Sequence, residues 1–175
     1  MLESLITNKT RLKLLFKFFL NKETTSYLRN LESEFGESTN AIRIELNRLE
    51  NAGLLLSHFD GNKKIFKAND LHPLYDEINR ILQKTVGLDM IVDHITTKIK
   101  ELKEAYLIGD LAIGKESGII DILLVGEELD SKLVAALTSK TETMIDRKIR
   151  YLIVNNKEKN NYLSDTHSLL IYGQV

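Results

Sequence analysis

The segment that begins at Ser38 and ends at Gly53 constrains the fold more than any other stretch of this sequence. Its apolar residues Ile42, Leu46 and Leu49 recur at three- and four-residue spacing, which places them on one face of a helix. A serine typically caps a helix N-terminus, and a glycine readily adopts the left-handed conformation that ends one. The segment therefore predicts one amphipathic helix.

The opposite face of this predicted helix carries hydrogen-bond donors. Such side chains can reach phosphates and base edges in the major groove of DNA. Glu45 and Glu50 argue against DNA contact because carboxylates repel phosphates, and any exposed helix has a polar face. The residues that we expect to face bases or the DNA backbone are Ser38, Thr39, Asn40, Arg43, Asn47 and Arg48.

Two further helices are predicted before this segment, one from Thr10 and one over residues 24–35. Gly36 ends the second of them and begins a short turn into the helix at Ser38. Two helices joined by a three- to four-residue turn that contains glycine are the signature of a helix-turn-helix.

A β-hairpin is predicted directly after the third helix. Residues 60–62, Asp-Gly-Asn, provide its turn between two strand-like runs. Lys63, Lys64 and Lys67 cluster on this hairpin, and we expect them to contact DNA phosphates. The alternative is that they protect an exposed strand edge from pairing. Three helices followed by a basic hairpin predict a winged helix.

Composition narrows the class of protein. The chain has 175 residues, a hydrophobic fraction of 43% and a net charge of −1, which suits a globular protein with a full core. It has no cysteine, which excludes disulfides, thiolate metal sites and cysteine nucleophiles. No histidine pair has metal-ligand spacing, and no serine-hydrolase motif occurs. We expect no metal, no cofactor, no membrane contact and a cytoplasmic location.

Three regions follow from the change in pattern along the chain. Residues 1–70 form the predicted DNA-binding domain. Residues 71–102 form a long amphipathic helical linker, broken near Gly87, which we expect to support a homodimer. Residues 103–175 alternate strands and helices and predict a small second domain. The fold class is α/β, α+β overall.

Two known families resemble parts of this sequence. Residues 9–86 resemble ArsR-like winged-helix regulators through the strings ESTNAIRIELNRLENAGLL, GNKKIFKAN and LHPLYDEI. The stretch LIGDLAIGKESGIIDILLV resembles the motif of minimal nucleotidyltransferases, which is Gly-Ser, a small turn, Arg-Gly, and Ser-Asp-x-Asp on a hydrophobic strand. The resemblance implies a winged helix that leads into a nucleotidyltransferase-like domain.

Several motif positions depart from the nucleotidyltransferase pattern. Ile119 stands where the resemblance implies the first metal-binding aspartate, and residues 150–154 offer no third carboxylate. Nucleotidyl transfer uses such carboxylates to hold Mg²⁺. We therefore expect an inactive domain and no catalytic residue. The vestigial motif positions are Gly109, Asp110, Gly114 and Asp121.

These observations favour a transcriptional regulator that binds double-stranded DNA and is not an enzyme. Its second domain would then serve oligomerisation or bind an unknown ligand or protein partner. One alternative is an active nucleotidyltransferase that modifies a partner in a toxin–antitoxin-like pair. The other is a protein-interaction adaptor whose winged helix no longer binds DNA, an alternative that rests on Glu45, Glu50 and the near-neutral charge.

Overall fold

The structure, a computed structural model, describes residues 2–163 and 167–173. It divides into two compact units, Met1–Thr85 and Val86–Val175. Each unit combines helices with its own sheet, so the predicted α/β (α+β overall) fold class is confirmed. No helix among the described residues is both long and apolar enough to cross a membrane.

The first unit has the element order of a winged helix-turn-helix. Its sheet is antiparallel throughout, with strand order β1-β3-β2. Its elements are α1 (Leu2–Leu5), α2 (Lys9–Phe19), β1 (Thr25–Tyr27), α3 (Leu28–Phe35), α4 (Thr39–Asn51), β2 (Leu55–Asp60), β3 (Lys63–Ala68) and α5 (Tyr75–Val86).

Helix α4 forms where the sequence predicts it. The Ser38 hydroxyl caps its N-terminus by accepting a hydrogen bond from the Ala41 backbone N–H at 3.2 Å. Ile42, Leu46 and Leu49 are buried, so the predicted apolar face is the inner face. That face packs against α2 and α3, which leaves the opposite face outward.

The second helix begins later than the sequence predicts. Residues 25–27 form β1, whose Tyr27 pairs with Ile65 of β3, and α3 begins only at Leu28. This pairing satisfies the backbone of β1 in the sheet and adds a third strand to the hairpin. It also brings the start of α3 beside the hairpin.

The second unit is a small α/β unit with strand order β6-β5-β4-β7. Strand β5 runs antiparallel to β4 and parallel to β6. Its elements are α6 (Leu88–His94), a 3₁₀ turn (Thr96–Lys98), β4 (Leu102–Ile108), α7 (Gly109–Ala112), β5 (Ile119–Gly126), α8 (Ser131–Ile145), β6 (Lys148–Val154), α9 (Lys159–Leu163) and β7 (Leu169–Tyr172).

Strand β5 is the centre of the second unit. Residues 122–126 are all buried, as expected for a strand covered on both faces. Gly87, at a φ of 87°, separates α5 from α6 and explains the predicted break. A Cβ there would lie 2.8 Å from Ile145 Cγ2, so close packing against α8 also requires glycine.

Candidate functional site

The outward face of α4 presents polar side chains to solvent. Asn40, Arg43 and Asn47 are exposed, and Arg48 has a side-chain exposure of 61%. Ser38 is exposed at the N-terminus of the helix although its hydroxyl serves as the cap. Thr39 is half-buried in the first turn. The DNA-contact roles predicted for these residues stay predictions.

Glu45 lies on the inner side of α4 and not on its polar face. Its side chain is only 3% exposed, and its carboxylate accepts hydrogen bonds from Arg11 Nε at 2.8 Å, from Arg48 Nη1 and from Asn8 Nδ2. Burial by itself raises the pKa of Glu45. The hydrogen bonds and charges of Arg11 and Arg48 outweigh it and hold the pKa below its ordinary value. Glu45 therefore presents little charge to a partner of α4.

Glu50 connects the end of α4 to both strands of the hairpin. One carboxylate oxygen accepts a hydrogen bond from Ser57 of β2, and the other lies 2.7 Å from Lys64 Nζ of β3. These hydrogen bonds, that of Lys64 first, lower the pKa of Glu50. Both acidic residues that argued against DNA contact are thus paired with cations of the same unit.

A groove of about 660 Å³ runs between α4 and the hairpin. Among the described residues that line it, four are arginine or lysine and none is acidic. Two amides and two aromatic rings add hydrogen-bonding and stacking groups. The lining residues are Tyr27, Leu28, Arg29, Arg43, Leu46, Asn47, Asn62, Lys63, Lys64 and Phe66.

The hairpin lysines differ in their surroundings. Lys63 is exposed, and its ammonium lies 4.7 Å from the centre of the Tyr27 ring. Lys64 is half-buried against Glu50, while Lys67 is exposed on the same strand and has no ion-pair partner among the residues described. All three can reach solvent, and within the described residues Lys64 alone of the three pairs with a carboxylate.

Tyr27, Arg29 and Asn62 line the groove and were missed by sequence reasoning. Residues 27–29 join the site because β1 pairs with β3, and that pairing leaves no local sequence signal. Asn62 sits in the hairpin turn that the sequence does predict, so its position next to Lys63 could have identified it.

In the second unit, the turn after β4 lies against the carboxylate of Asp121. Gly109 has a φ of 70°, and a Cβ at this position would lie 2.7 Å from Asp121 Oδ2. Gly114 closes the same turn at a φ of 73°. Asp110 forms an ion pair with Lys115 at 3.2 Å. Gly109 and Asp121, which the resemblance places in one motif, are therefore neighbours.

Arg150 occupies the position beside Asp121 on the next strand. The two residues are register partners in the parallel pair β5 and β6. Arg150 Nε and Nη2 donate to the two carboxylate oxygens at 2.6 and 2.8 Å, a bidentate ion pair. The hydrogen bond and charge of Asp121 raise the pKa of Arg150. Each Asp121 oxygen thus already accepts a charged hydrogen bond.

These residues do not fit the magnesium centre that nucleotidyl transfer uses. Mg²⁺ is held by oxygen ligands, mainly carboxylates. Ile119 offers no ligand, Arg150 brings a positive charge, and Asp121 is already paired. Within the described ranges, no cluster of three or more His, Asp or Glu side chains could hold a metal ion.

Comparisons with known proteins give structural matches alone. No protein-family model matches this sequence, and no curated protein matches it. A structure of a mutant of the toxin–antitoxin MntA-HpeT is 18% identical, with a TM-score of 0.41. The match covers 50% of this chain and 73% of the matched chain. A toxin–antitoxin structure with AMP-PNP is 19% identical, with a TM-score of 0.40. This match covers 50% of this chain and 73% of the matched chain.

A third structure, from Sulfolobus solfataricus, is assigned as a nucleotidyltransferase. It is 22% identical, with a TM-score of 0.38, and the match covers 52% of this chain and 82% of the matched chain. This third neighbour agrees with the nucleotidyltransferase-like part of the resemblance, and none of the three is named as an ArsR-like regulator. At 18–22% identity these neighbours describe a likeness in fold alone.

The expectation that the chain is not an enzyme is contradicted by these neighbours. It rested on missing carboxylates, whereas one of the matched structures is described as a nucleotidyltransferase, which is an enzyme. The side chains near the turn after β4 support a narrower statement about metal binding. Residues 119, 121 and 150, as they stand, do not supply a magnesium centre.

Proposed function

We propose that the first unit binds double-stranded DNA, with the outward face of α4 in the major groove and the hairpin β2–β3 on the phosphate backbone. The observation that carries the proposal is the cationic groove between these two elements. Arg29, Arg43 and Lys63 line it, and phosphates are the anions that a duplex presents at regular spacing.

The pairing of the two acidic residues supports this proposal. Glu45 is buried against Arg11, and Glu50 is paired with Lys64, so neither leaves an isolated negative charge on the outward face. The adaptor alternative rested on these same acids. A near-neutral chain can still bind DNA when its exposed cations are gathered on one face.

The proposal predicts a specific role for Arg43. The full chain should select particular fragments from a genomic DNA pool, and Arg43→Ala should weaken binding to a selected fragment by about 1–3 kcal/mol if Arg43 contacts a guanine. Arg80→Ala removes an exposed arginine of α5 and serves as the matched control. Fluorescence anisotropy with selected and random duplexes measures both variants.

Two outcomes would contradict the proposal. Equal losses on selected and random DNA for Arg43→Ala would place Arg43 on the backbone and not on a base. No binding to any duplex at low salt would instead favour the protein-interaction adaptor.

Nucleotidyl transfer by the second unit is the second candidate function. The observation that favours it is the closeness of the Gly109 turn to the Asp121 carboxylate, since a Cβ added at Gly109 would lie 2.7 Å from Asp121 Oδ2. The partner would be a protein or nucleic acid, as in the toxin–antitoxin-like alternative. This function and DNA binding involve different units and are tested separately.

The test of the second candidate is transfer of label from α-labelled nucleoside triphosphates. The full chain is incubated with each triphosphate, Mg²⁺ or Mn²⁺, and a cell extract as a source of acceptors. Transfer that is lost in Asp121→Asn and kept in Asp93→Asn, an exposed aspartate of α6, would establish the activity. Transfer that survives Asp121→Asn would contradict a role for this turn.

Self-association stays a prediction. Leu71, Leu74 and Ile81 expose large apolar side chains at 90%, 54% and 48%. A homodimer that covers them would fit a regulator that reads two half-sites. Sedimentation of the full chain and of Ile81→Glu measures whether such a dimer exists.

A further inference from the structure

The end of α4 holds one hairpin lysine in an internal ion pair. Lys64 Nζ lies 2.7 Å from Glu50 Oε2 and 5.0 Å from the centre of the Phe66 ring. The Lys64 side chain is 35% exposed and also lines the groove. Its ammonium is therefore both paired and within reach of an anion that enters the groove.

Lys67 of the same strand provides the contrast. It is exposed and has no ion-pair partner in the part of the chain that the structure describes. A free surface lysine that meets a phosphate releases a condensed counterion, which strengthens binding at low salt. Lys64 must first leave a carboxylate, so its contact with a phosphate exchanges one ion pair for another.

We propose that Glu50 competes with DNA phosphate for Lys64 and thereby lowers the affinity of the protein for random DNA. This inference rests on the proposed DNA binding of the first unit. The carboxylate acts as an internal substitute for a phosphate, and Lys64 moves to the duplex only where the fit of α4 brings a phosphate into the groove. Glu50 is then a residue that sets specificity although it does not touch a base.

A purely structural role for Glu50 predicts the opposite result. Glu50 also accepts a hydrogen bond from Ser57, so it fixes β2 and β3 to α4. If that were its whole role, removal of its charge would loosen the hairpin and weaken DNA binding. Competition predicts that removal of the charge strengthens binding to random DNA, so the sign of the change separates the two roles.

The experiment measures the salt dependence of DNA binding by the full chain. Anisotropy titrations with a random duplex between about 50 and 200 mM salt give the slope of log K against log salt, which is about −0.9 per phosphate contact. The variants are Glu50→Gln, Lys64→Gln and the double variant. Glu77→Gln changes the net charge equally at an exposed position of α5 and is the matched control.

We expect Glu50→Gln to steepen the slope by about one unit and to tighten binding to random DNA by up to about eightfold at 0.1 M salt. Lys64→Gln alone should change the slope by much less than one unit. The double variant should show the slope of Lys64→Gln, because it lacks the Lys64 ammonium that Glu50→Gln would release. Glu77→Gln should keep the wild-type slope.

Ser57→Ala separates competition from loosening of the hairpin. It removes a hydrogen bond of Glu50 and leaves the ion pair with Lys64, so we expect the wild-type slope. Weaker binding or an unchanged slope in Glu50→Gln, with the wild type still binding, overturns this inference alone. A wild type without salt-dependent binding to any duplex overturns the proposed function itself.

Discussion

The two units place their charged side chains in contrasting ways. The outward side of α4 and the hairpin β2–β3 together form the α4–hairpin face. On it, Arg43 and Lys67 are exposed and lack ion-pair partners among the described residues. The nearby acids Glu45 and Glu50 are paired inside the unit. At the turn after β4, Asp121 and Arg150 pair with each other. The first face leaves cations available to an external anion, and the second satisfies its charges internally.

This difference shows that motif spacing alone does not define a site. The helix-turn-helix pattern predicts a polar face, and the structure leaves that face open. The nucleotidyltransferase-like pattern predicts a turn beside an aspartate, and the structure keeps the turn but supplies an arginine as the partner of the aspartate. The state of the charges in each site follows from tertiary pairing.

The prediction with the largest expected change in the free energy of unfolding tests whether α4 has one buried face and one exposed face. Leu46 is 1% exposed, and Leu46→Ala should lower the free energy of unfolding by about 2–5 kcal/mol because it leaves a cavity. Arg43→Ala on the outward face should change it by less than about 0.5 kcal/mol. Urea denaturation measures both. Similar losses in the two variants would contradict the division of faces.

A second prediction tests the turn beside Asp121. Gly109→Ala should destabilise the protein by about 1–3 kcal/mol because residue 109 has a positive φ and its Cβ would overlap the Asp121 carboxylate. Gly118→Ala is the matched control, since a Cβ there meets no atom within 4 Å. Thermal unfolding compares the two. A tolerated Gly109→Ala would mean that the turn is not packed against Asp121.

A third prediction uses pH to test the internal pairing of the α4 acids. Because the folded-state pKa of Glu45 lies below its unfolded value near 4.5, Glu45 stabilises the fold above that pH. This stability is lost as the pH falls through the folded-state pKa, at up to about 1.4 kcal/mol per pH unit. Glu45→Gln should lose less stability than the wild type between about pH 5 and pH 3.

Acid titrations monitored by circular dichroism measure this difference. Glu77→Gln removes an exposed carboxylate of α5 and should follow the wild-type curve. If Glu45→Gln also follows the wild-type curve, Glu45 is not held by Arg11 and Arg48 in solution.

Local patterns predicted the elements that carry the first site. The cap at Ser38, the apolar spacing of α4 and the hairpin turn all depend on residues close in sequence, and the structure contains each of them. Strand β1 was not predicted because its pairing with β3 is long-range. Tyr27 and Arg29 were missed for the same reason.

The charge partners of both sites also depend on tertiary structure. The polar pattern of α4 left Glu45 as a potential negative charge beside DNA, and its burial follows from Arg11 of α2. The sequence shows that β6 lacks a carboxylate. That Arg150 binds Asp121 follows from the register of β6 on β5, which no local pattern encodes.

Oxidative footprinting tests most directly whether the α4–hairpin face contacts DNA. Phe59 of the hairpin and Met144 of α8 have exposed side chains at 74% and 48%, and hydroxyl radicals oxidise both residue types. With a selected duplex present, oxidation of Phe59 and of the exposed His58 beside it should fall, while Met144 keeps its rate. Protection of Met144 with unchanged rates at Phe59 and His58 would contradict the account.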